Sequence, residues 1–281
     1  MASRKISLDK STKVHYNSNM ETTQTNNIIK SHKRISLFDG IRGICIIMMV
    51  LHHLIFNIRH FNFLQGTGAN RLALSIYNGA ALPWLMIFFQ SLFIFLTGMS
   101  SKLSRNNFRR SGKIAAAALL VTAATTVLFY PDSGIFFGIL HFMAAASLIY
   151  ALIDKYFPIM FRKYWLAPIY FALFVLFHHW TTTIELTFRT INIFGLQFDP
   201  VIFGFMPPHF ATADFFGIFP WIFMFFVGAL FGELIKSGKL NDTLEKIRLP
   251  FLDKIGTKTL LIYIIHQPVL FVLLHLADWM R

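Results

Sequence analysis

The side chains of this chain that could move a proton or act as a nucleophile are 11 histidines, 13 carboxylates and one cysteine. Their most suggestive spacing lies in Arg34-Ile-Ser-Leu-Phe-Asp39-Gly-Ile-Arg42-Gly-Ile-Cys45-Ile-Ile-Met-Met-Val-Leu-His52-His53. On a helix of about 100° per residue, Arg42 and His53 fall within about 20° of one another, whereas His52 is displaced by about 80°. Asp39, three positions before Arg42, is within pairing reach. One stripe would then carry an ion pair and, about 16 Å further along, a histidine able to act as a general base or as a transient carrier. Seven more histidines, His52, His60, His141, His178, His179, His209 and His275, sit in or beside apolar runs, and His266 lies in the middle of the last run. In the pairs His52-His53 and His178-His179 the side chains diverge by about 100°, so at most one of each is expected to face a common pocket. There is no His-Glu-x-x-His and no Cys/His ligand spacing, so the histidines suit acid–base chemistry and no metal site is expected.

These residues must be positioned by membrane helices. The chain is 55% apolar and 14% charged, against about 25% charged in a soluble domain. This excludes a cytosolic enzyme, a disordered protein and a disulfide scaffold, the last also because Cys45 has no partner. A span takes roughly 20 predominantly apolar residues, and seven runs qualify: 35–57, 80–100, 114–130, 135–153, 164–180, 215–235 and 258–277. The first is too long for a signal peptide and has no small-residue cleavage site after it. The expected fold is therefore all-α, a polytopic bundle over 34–281 behind a polar, basic, disordered cytoplasmic tail at 1–33. Residues 69–79 are amphipathic and should lie at the interface. Pro83, Pro220 and Pro268 should begin or kink helices.

Of the 26 Lys and Arg, 21 fall in the tail and in alternate loops, four (Arg59, Arg71, Arg189 and Arg281) fall on the other side, and Arg42 is within the first span. That bias places the N-terminus inside and the C-terminus outside. It accounts for the net charge of +13 without a nucleic-acid partner, for which no basic-aromatic module exists. It also places all eight histidines other than His15, His32 and His266 on the outer side, together with Asp132 and Asp214. Mid-span carboxylates are almost absent, which argues against an ion-coupled transporter. Gly134-xxx-Gly138, Gly228-xxx-Gly232 and the alanine runs at 115–118 and 144–146 offer small faces for close helix packing. Asn241-Asp-Thr243 matches a glycosylation acceptor on the cytoplasmic side, where it should be inert. The outer segment 181–214, with Pro200, Pro207 and Pro208, is expected to be re-entrant or to fold over a pocket.

With Arg34-x4-Asp39-Gly-Ile-Arg42-Gly leading into a helix that ends at His53, the chain resembles transmembrane acyltransferases. It is most similar to the catalytic region of heparan-α-glucosaminide N-acetyltransferase and its bacterial relatives. Acyltransferase family 3, which O-acylates surface sugars, begins similarly, with its essential histidine where His53 stands. Further resemblances are Phe93-Ile-Phe-Leu-Thr-Gly98-Met-Ser-Ser, Phe137-Gly-Ile-Leu-His141, Ala213-Asp-Phe-Phe-Gly-Ile-Phe-Pro-Trp221 and Ile262-Tyr-Ile-Ile-His266-Gln-Pro268. Seven spans are fewer than the ten or so usual in these families. The lysosomal relative takes its histidine from the loop after the first helix, which leaves His53 and His60 both open as the key residue.

The resemblance implies transfer of an acyl group, expected to be acetyl, to a hydroxyl or amine of an exterior glycan or lipid-linked sugar. The donor is cytoplasmic acyl-CoA, expected to be acetyl-CoA, used as a substrate, with no bound cofactor. His53 would be base or acyl carrier, His141 or Asp214 would orient it, and Asp39 and Arg42 would fix the helix and bound the donor site. Arg42 and the basic 102–113 loop could meet the CoA phosphates. His60 and His266 are further candidates. The protein is expected in the plasma membrane, in contact with the bilayer, and a homo-oligomer is compatible with the sequence. The alternative is a non-enzymatic translocator of lipid-linked sugars or small solutes with a histidine-lined path, or an inactive relative serving as an assembly partner.

Overall fold

The computed structural model describes residues 35–129, 134–183, 191–193, 196–198, 214–238 and 244–281. The chain divides into Met1–Ile35 and Ser36–Arg281, and every described element lies in the second unit. The tail 1–33, Asp132, His209, Asn241 and the three prolines of the outer segment lie outside the described residues.

Among the described residues the elements are α-helices, apart from two short 3₁₀ turns (Pro158–Phe161 and Tyr164–Leu166) and one short hairpin. In chain order they are α1 (Ser36–His60), α2 (Gly68–Tyr77), α3 (Ala81–Leu103), α4 (Asn107–Phe129), α5 (Ile139–Tyr156), α6 (Ala167–Thr183), α7 (Trp221–Lys236), α8 (Leu252–Gly256) and α9 (Thr259–Trp279). Each of the seven long apolar runs has become a helix, displaced by a few residues at the ends. Of the outer segment, the antiparallel strands β1 (Ile191–Ile193) and β2 (Leu196–Phe198) are described, with Ile191 opposite Phe198.

Local signals explain the ends. Asp39 lies in the first turn of α1 and Arg59 and His60 in its last, each complementing the helix dipole. The amphipathic α2 starts at Thr67, whose hydroxyl accepts from Asn70 N–H at 3.2 Å. Pro220 precedes α7, and Pro268 lies inside α9, where its missing N–H leaves the Ile264 carbonyl without a helical donor.

Four helices, α1, α3, α5 and α9, are long and apolar enough to cross a membrane. The 16 residues of α7 are fewer than such a span takes, and α4 and α6 are described only as far as Phe129 and Thr183. At 1.5 Å per residue, the 16 residues of α7 rise only about 24 Å. Exposed aromatics mark both ends of the bundle: Trp84 and Trp279 at one, Tyr156, Tyr164 and Trp165 at the other.

The interior is centred on α7. Ile94, Phe142, Tyr150, Phe161 and Phe225 are wholly buried around it. A close backbone approach joins α3 to α7, where Gly98 faces the Phe225 carbonyl and Gly228 faces the Phe95 carbonyl. Gly232 meets the Met99 carbonyl one turn further on, so the expected small face at Gly228-xxx-Gly232 is a helix contact. Gly134-xxx-Gly138 is not: both glycines precede α5 in irregular backbone. Gly138 serves instead to admit a carboxylate, since a Cβ there would lie 2.5 Å from Asp214 Oδ2. A third close contact joins α1 to α8, with Gly43 against the Leu252 carbonyl and Gly256 against that of Asp39.

One ion cluster ties three helices together. Lys102 of α3 is 8% exposed and lies 3.1 Å from both Asp154 of α5 and Glu233 of α7. Removing the shared cation leaves two partly buried carboxylates facing each other. Lys102→Met is therefore expected to cost about 1–3 kcal/mol, less than a fully buried pair because both acids reach solvent. A thermal melt in detergent micelles measures it, and a melt unchanged from the native protein would show the cluster to be passive.

Candidate functional site

The site begins with α1, whose stripe binds this helix to α3 at one end and opens on a cavity at the other. Arg42 Nη1 donates to Asp39 Oδ1 at 2.5 Å, and Arg42 Nη2 donates to the Ser100 hydroxyl and to the Leu96 carbonyl. Asp39 is buried. A second guanidinium reaches the same stretch of α3 from α4: Arg110 donates to Ser101 Oγ at 2.7 Å and to the Thr97 carbonyl at 3.3 Å. Two arginines thus converge on residues 96–101, and such paired guanidiniums suit a phosphate-bearing ligand.

Further along α1 lies a cavity of about 110 Å³. Its walls are largely apolar, with Met49 of α1 and Met86, Phe89 and Phe93 of α3, while His52, His53, Gln90, Asp214 and Tyr263 supply polar atoms. A concave apolar pocket with a few convergent polar groups is the usual form of a small-molecule site. Both members of the His52-His53 pair line it, which corrects the expectation that only one could. The cavity is wide enough that two side chains about 100° apart flank it, with ring centroids 5.6 Å from each other.

His53 is the better held of the two. Its Nδ1 is 3.0 Å from Gln267 Nε2 of α9, and its ring centroid is 4.9 Å from that of His266. His266 is buried, and its Nδ1 donates to the Tyr263 carbonyl at 2.6 Å. Asp214 accepts from the Ile139 N–H at 3.2 Å, at the start of α5, and from the Tyr263 hydroxyl at 3.3 Å. The carboxylate therefore shares the cavity with His53, while the hydrogen bond to the imidazole comes from Gln267.

The other sequence-derived candidates are not gathered here. His141 is bonded through Nε2 to Thr122 Oγ1 at 3.1 Å, and Thr122 in turn donates to the Ile135 carbonyl, so this pair joins α4 to the approach to α5. His60 is exposed, stacked on Phe56 and edge-on to Phe61. His178 packs on Trp221, and His275 bonds the Phe271 carbonyl. Among the described residues, no three His, Cys, Asp or Glu side chains converge as a metal-ligand set.

Four contributors were not singled out from sequence: Gln267, Asn57, Tyr263 and Arg110. Asn57 could have been found, because it lies one turn after His53 on the same face of α1. Gln267, although inside a quoted motif, gives no periodic signal in a helix that is apolar nearly all round.

The family model for heparan-alpha-glucosaminide N-acetyltransferase, catalytic, matches residues 34–268. No curated protein and no solved structure gives a significant match to the chain. The matched stretch takes in Asp39 and Arg42, His53 and its cavity, Asp214, Tyr263 and Gln267, and on that extent the chain belongs to the heparan-alpha-glucosaminide N-acetyltransferase catalytic family.

Proposed function

We propose that the chain is a membrane-embedded acyltransferase that takes an acyl group, acetyl foremost, from acyl-CoA on the cytoplasmic side. The acceptor is a hydroxyl or amine of an exterior glycan or glycolipid. One observation carries the reading: a single helix joins an arginine cluster to a histidine on a small cavity, inside the span that matches the family. The rise from Arg42 to His53, about 16 Å, is of the order of an extended pantetheine arm. Phosphates held by Arg42 and Arg110 would thus deliver a thioester to the cavity.

In the reaction, the acceptor oxygen or nitrogen attacks the thioester carbonyl, the new C–O or C–N bond forms and the C–S bond breaks. His53 takes the acceptor's proton and passes it to the departing CoA thiolate. Asp214 and Tyr263 line the same cavity and shape its polar side. Seven crossings, with N-terminus inside and C-terminus outside in the plasma membrane, suit this division of labour. The 21-to-4 distribution of Lys and Arg supports that topology. The short α7 is tolerable because protein and not lipid surrounds most of it.

The test is to incubate membranes carrying the protein with acetyl-labelled acetyl-CoA and to follow the label. Transfer to an exterior glycan or glycolipid is expected. Movement of a lipid-linked sugar with no consumption of acetyl-CoA would favour a translocator instead. Within the same assay, Arg110→Ala is expected to raise KM for acetyl-CoA about tenfold, equivalent to about 1.4 kcal/mol, with kcat changed much less. An unchanged KM would remove the guanidinium from the donor site.

A further inference from the structure

Behind His53 lies an amide pair that the catalytic scheme above does not use. Asn57, fully buried and one turn beyond His53 on α1, donates from Nδ2 to Gln267 Oε1 at 2.8 Å. Gln267 in turn presents Nε2 to His53 Nδ1 at 3.0 Å. The chain of donors is then complete in one sense only. An amide N–H pointed at Nδ1 makes that nitrogen the acceptor, so the neutral ring carries its proton on Nε2. In that tautomer the nitrogen left for the cavity already holds a proton and cannot accept one.

The same heavy atoms accommodate the opposite sense. If both amides rotate by half a turn, oxygen and nitrogen exchange places with almost no change of shape. Gln267 Oε1 then accepts from His53 Nδ1–H, Gln267 Nε2 donates to Asn57 Oδ1, and His53 Nε2 is left unprotonated as a base. Both senses contain two hydrogen bonds. Asn57 Oδ1 has no partner in the first sense and gains one in the second, where Asn57 Nδ2 takes over the unpartnered position. A buried polar atom without a partner costs about 1–3 kcal/mol, and because each sense leaves one such atom on Asn57, nothing in this pair locks the first sense in place.

We infer that Gln267 is the positioning residue that sets which nitrogen of His53 carries the proton, and that Asn57 sets the orientation of Gln267. Its catalytic consequence rests on the acyltransferase reading: the base-competent form is the one in which the glutamine carbonyl receives Nδ1–H. That carbonyl also stabilises the imidazolium formed when Nε2 takes the acceptor's proton. The arrangement has the logic of an acid–base histidine held by a third group, here an amide.

Three substitutions separate this role from packing. Gln267→Glu can only accept, so it takes Nδ1–H from His53 on one oxygen and Asn57 Nδ2–H on the other. Asn57→Asp can only accept, which turns the Gln267 carbonyl toward His53. Gln267→Met keeps the length and loses every hydrogen bond. In protein labelled with ¹⁵N-histidine in micelles, long-range nitrogen–proton correlations read the His53 tautomer directly. Gln267→Glu and Asn57→Asp are expected to raise the ratio of Nδ1–H to Nε2–H at least about threefold over the native protein, and Gln267→Met is expected not to.

In the transfer assay, kcat is expected to fall by about 100-fold or more in Gln267→Met and by less than about tenfold in Gln267→Glu, with KM for acetyl-CoA nearly constant. A His53 tautomer unmoved by any of the three, or equal losses in the Met and Glu variants, overturns the inference. The two Gln267 variants keep the test decisive if Asn57→Asp does not fold. Because the tautomer is read without substrate, a native protein that fails to consume acetyl-CoA overturns the acyltransferase reading and leaves the tautomer result to be judged alone.

Discussion

His53→Ala is expected to lower acyl transfer from acetyl-CoA by about 10²–10⁴-fold, the usual contribution of a positioned general base. The substitution removes the one imidazole among the described residues that both lines the cavity and is held by a hydrogen bond from a neighbouring helix. A sugar hydroxyl is a poor nucleophile until its proton is taken, and His52, the other histidine on the cavity, has its ring 5.6 Å from that of His53 and off the Arg42 stripe. His60→Ala is expected to change the rate by less than about threefold, because its ring stacks on Phe56 outside the cavity. The assay is label transfer at saturating donor, with folding checked by a monodisperse elution profile. Undiminished transfer in folded His53→Ala protein would refute the assignment, and loss in His60→Ala alone would move the chemistry to the loop after α1.

The stripe on α1 was legible because it is written in one helix. An 11-residue separation at 3.6 residues per turn returns to the same face whatever the neighbours do, and Asp39 and Arg42 pair within that helix. What surrounds the stripe was not legible. Gln267 reaches His53 across 214 positions, and an amide in an apolar helix carries no pattern that assigns it a partner. The same limit explains His141, expected beside His53 and found on Thr122. Its placement on the outer side said nothing about which helix it would face.

The glycines show the boundary most clearly. A small-xxx-small pair predicts a close contact only if both residues are helical. That condition holds for Gly228 and Gly232 and fails for Gly134 and Gly138, which stand in irregular backbone ahead of α5. At Gly138 the missing side chain makes room for the Asp214 carboxylate in place of a neighbouring helix. The hydropathy of the chain located all seven long helices, yet it could not foretell that α7 would have only 16 residues. That length depends on where Pro220 lets the backbone turn.

The contact between α3 and α7 carries the largest expected effect on stability. Gly98→Ala and Gly228→Ala each add a single methyl group, and in each case it would land on a backbone carbonyl, of Phe225 or of Phe95. A side chain in the way can change rotamer, but a carbonyl inside a helix can yield only if the whole helix moves. In lipid this matters more than in water, because helix association rests on close packing and not on expulsion of water. Separating α3 from α7 would also loosen Phe225 and Ile94 from the wholly buried centre and pull Lys102 from Glu233. We expect each variant to lose at least about 3 kcal/mol, the upper end of ordinary overpacking. That would lower the melting temperature by about 10 °C, given about 2–4 °C per kcal/mol for a chain of this order of size. Gly112→Ala is the matched control: it lies on α4 with open space where its methyl would go, so helix propensity alone should leave it neutral or slightly stabilised. Thermal melts of the three variants in the same detergent decide the matter. If Gly98→Ala and Gly228→Ala melted within a degree or two of Gly112→Ala, the α3–α7 contact could not be the element that holds the bundle, and with it the cavity wall formed by Met86, Phe89 and Phe93, in place.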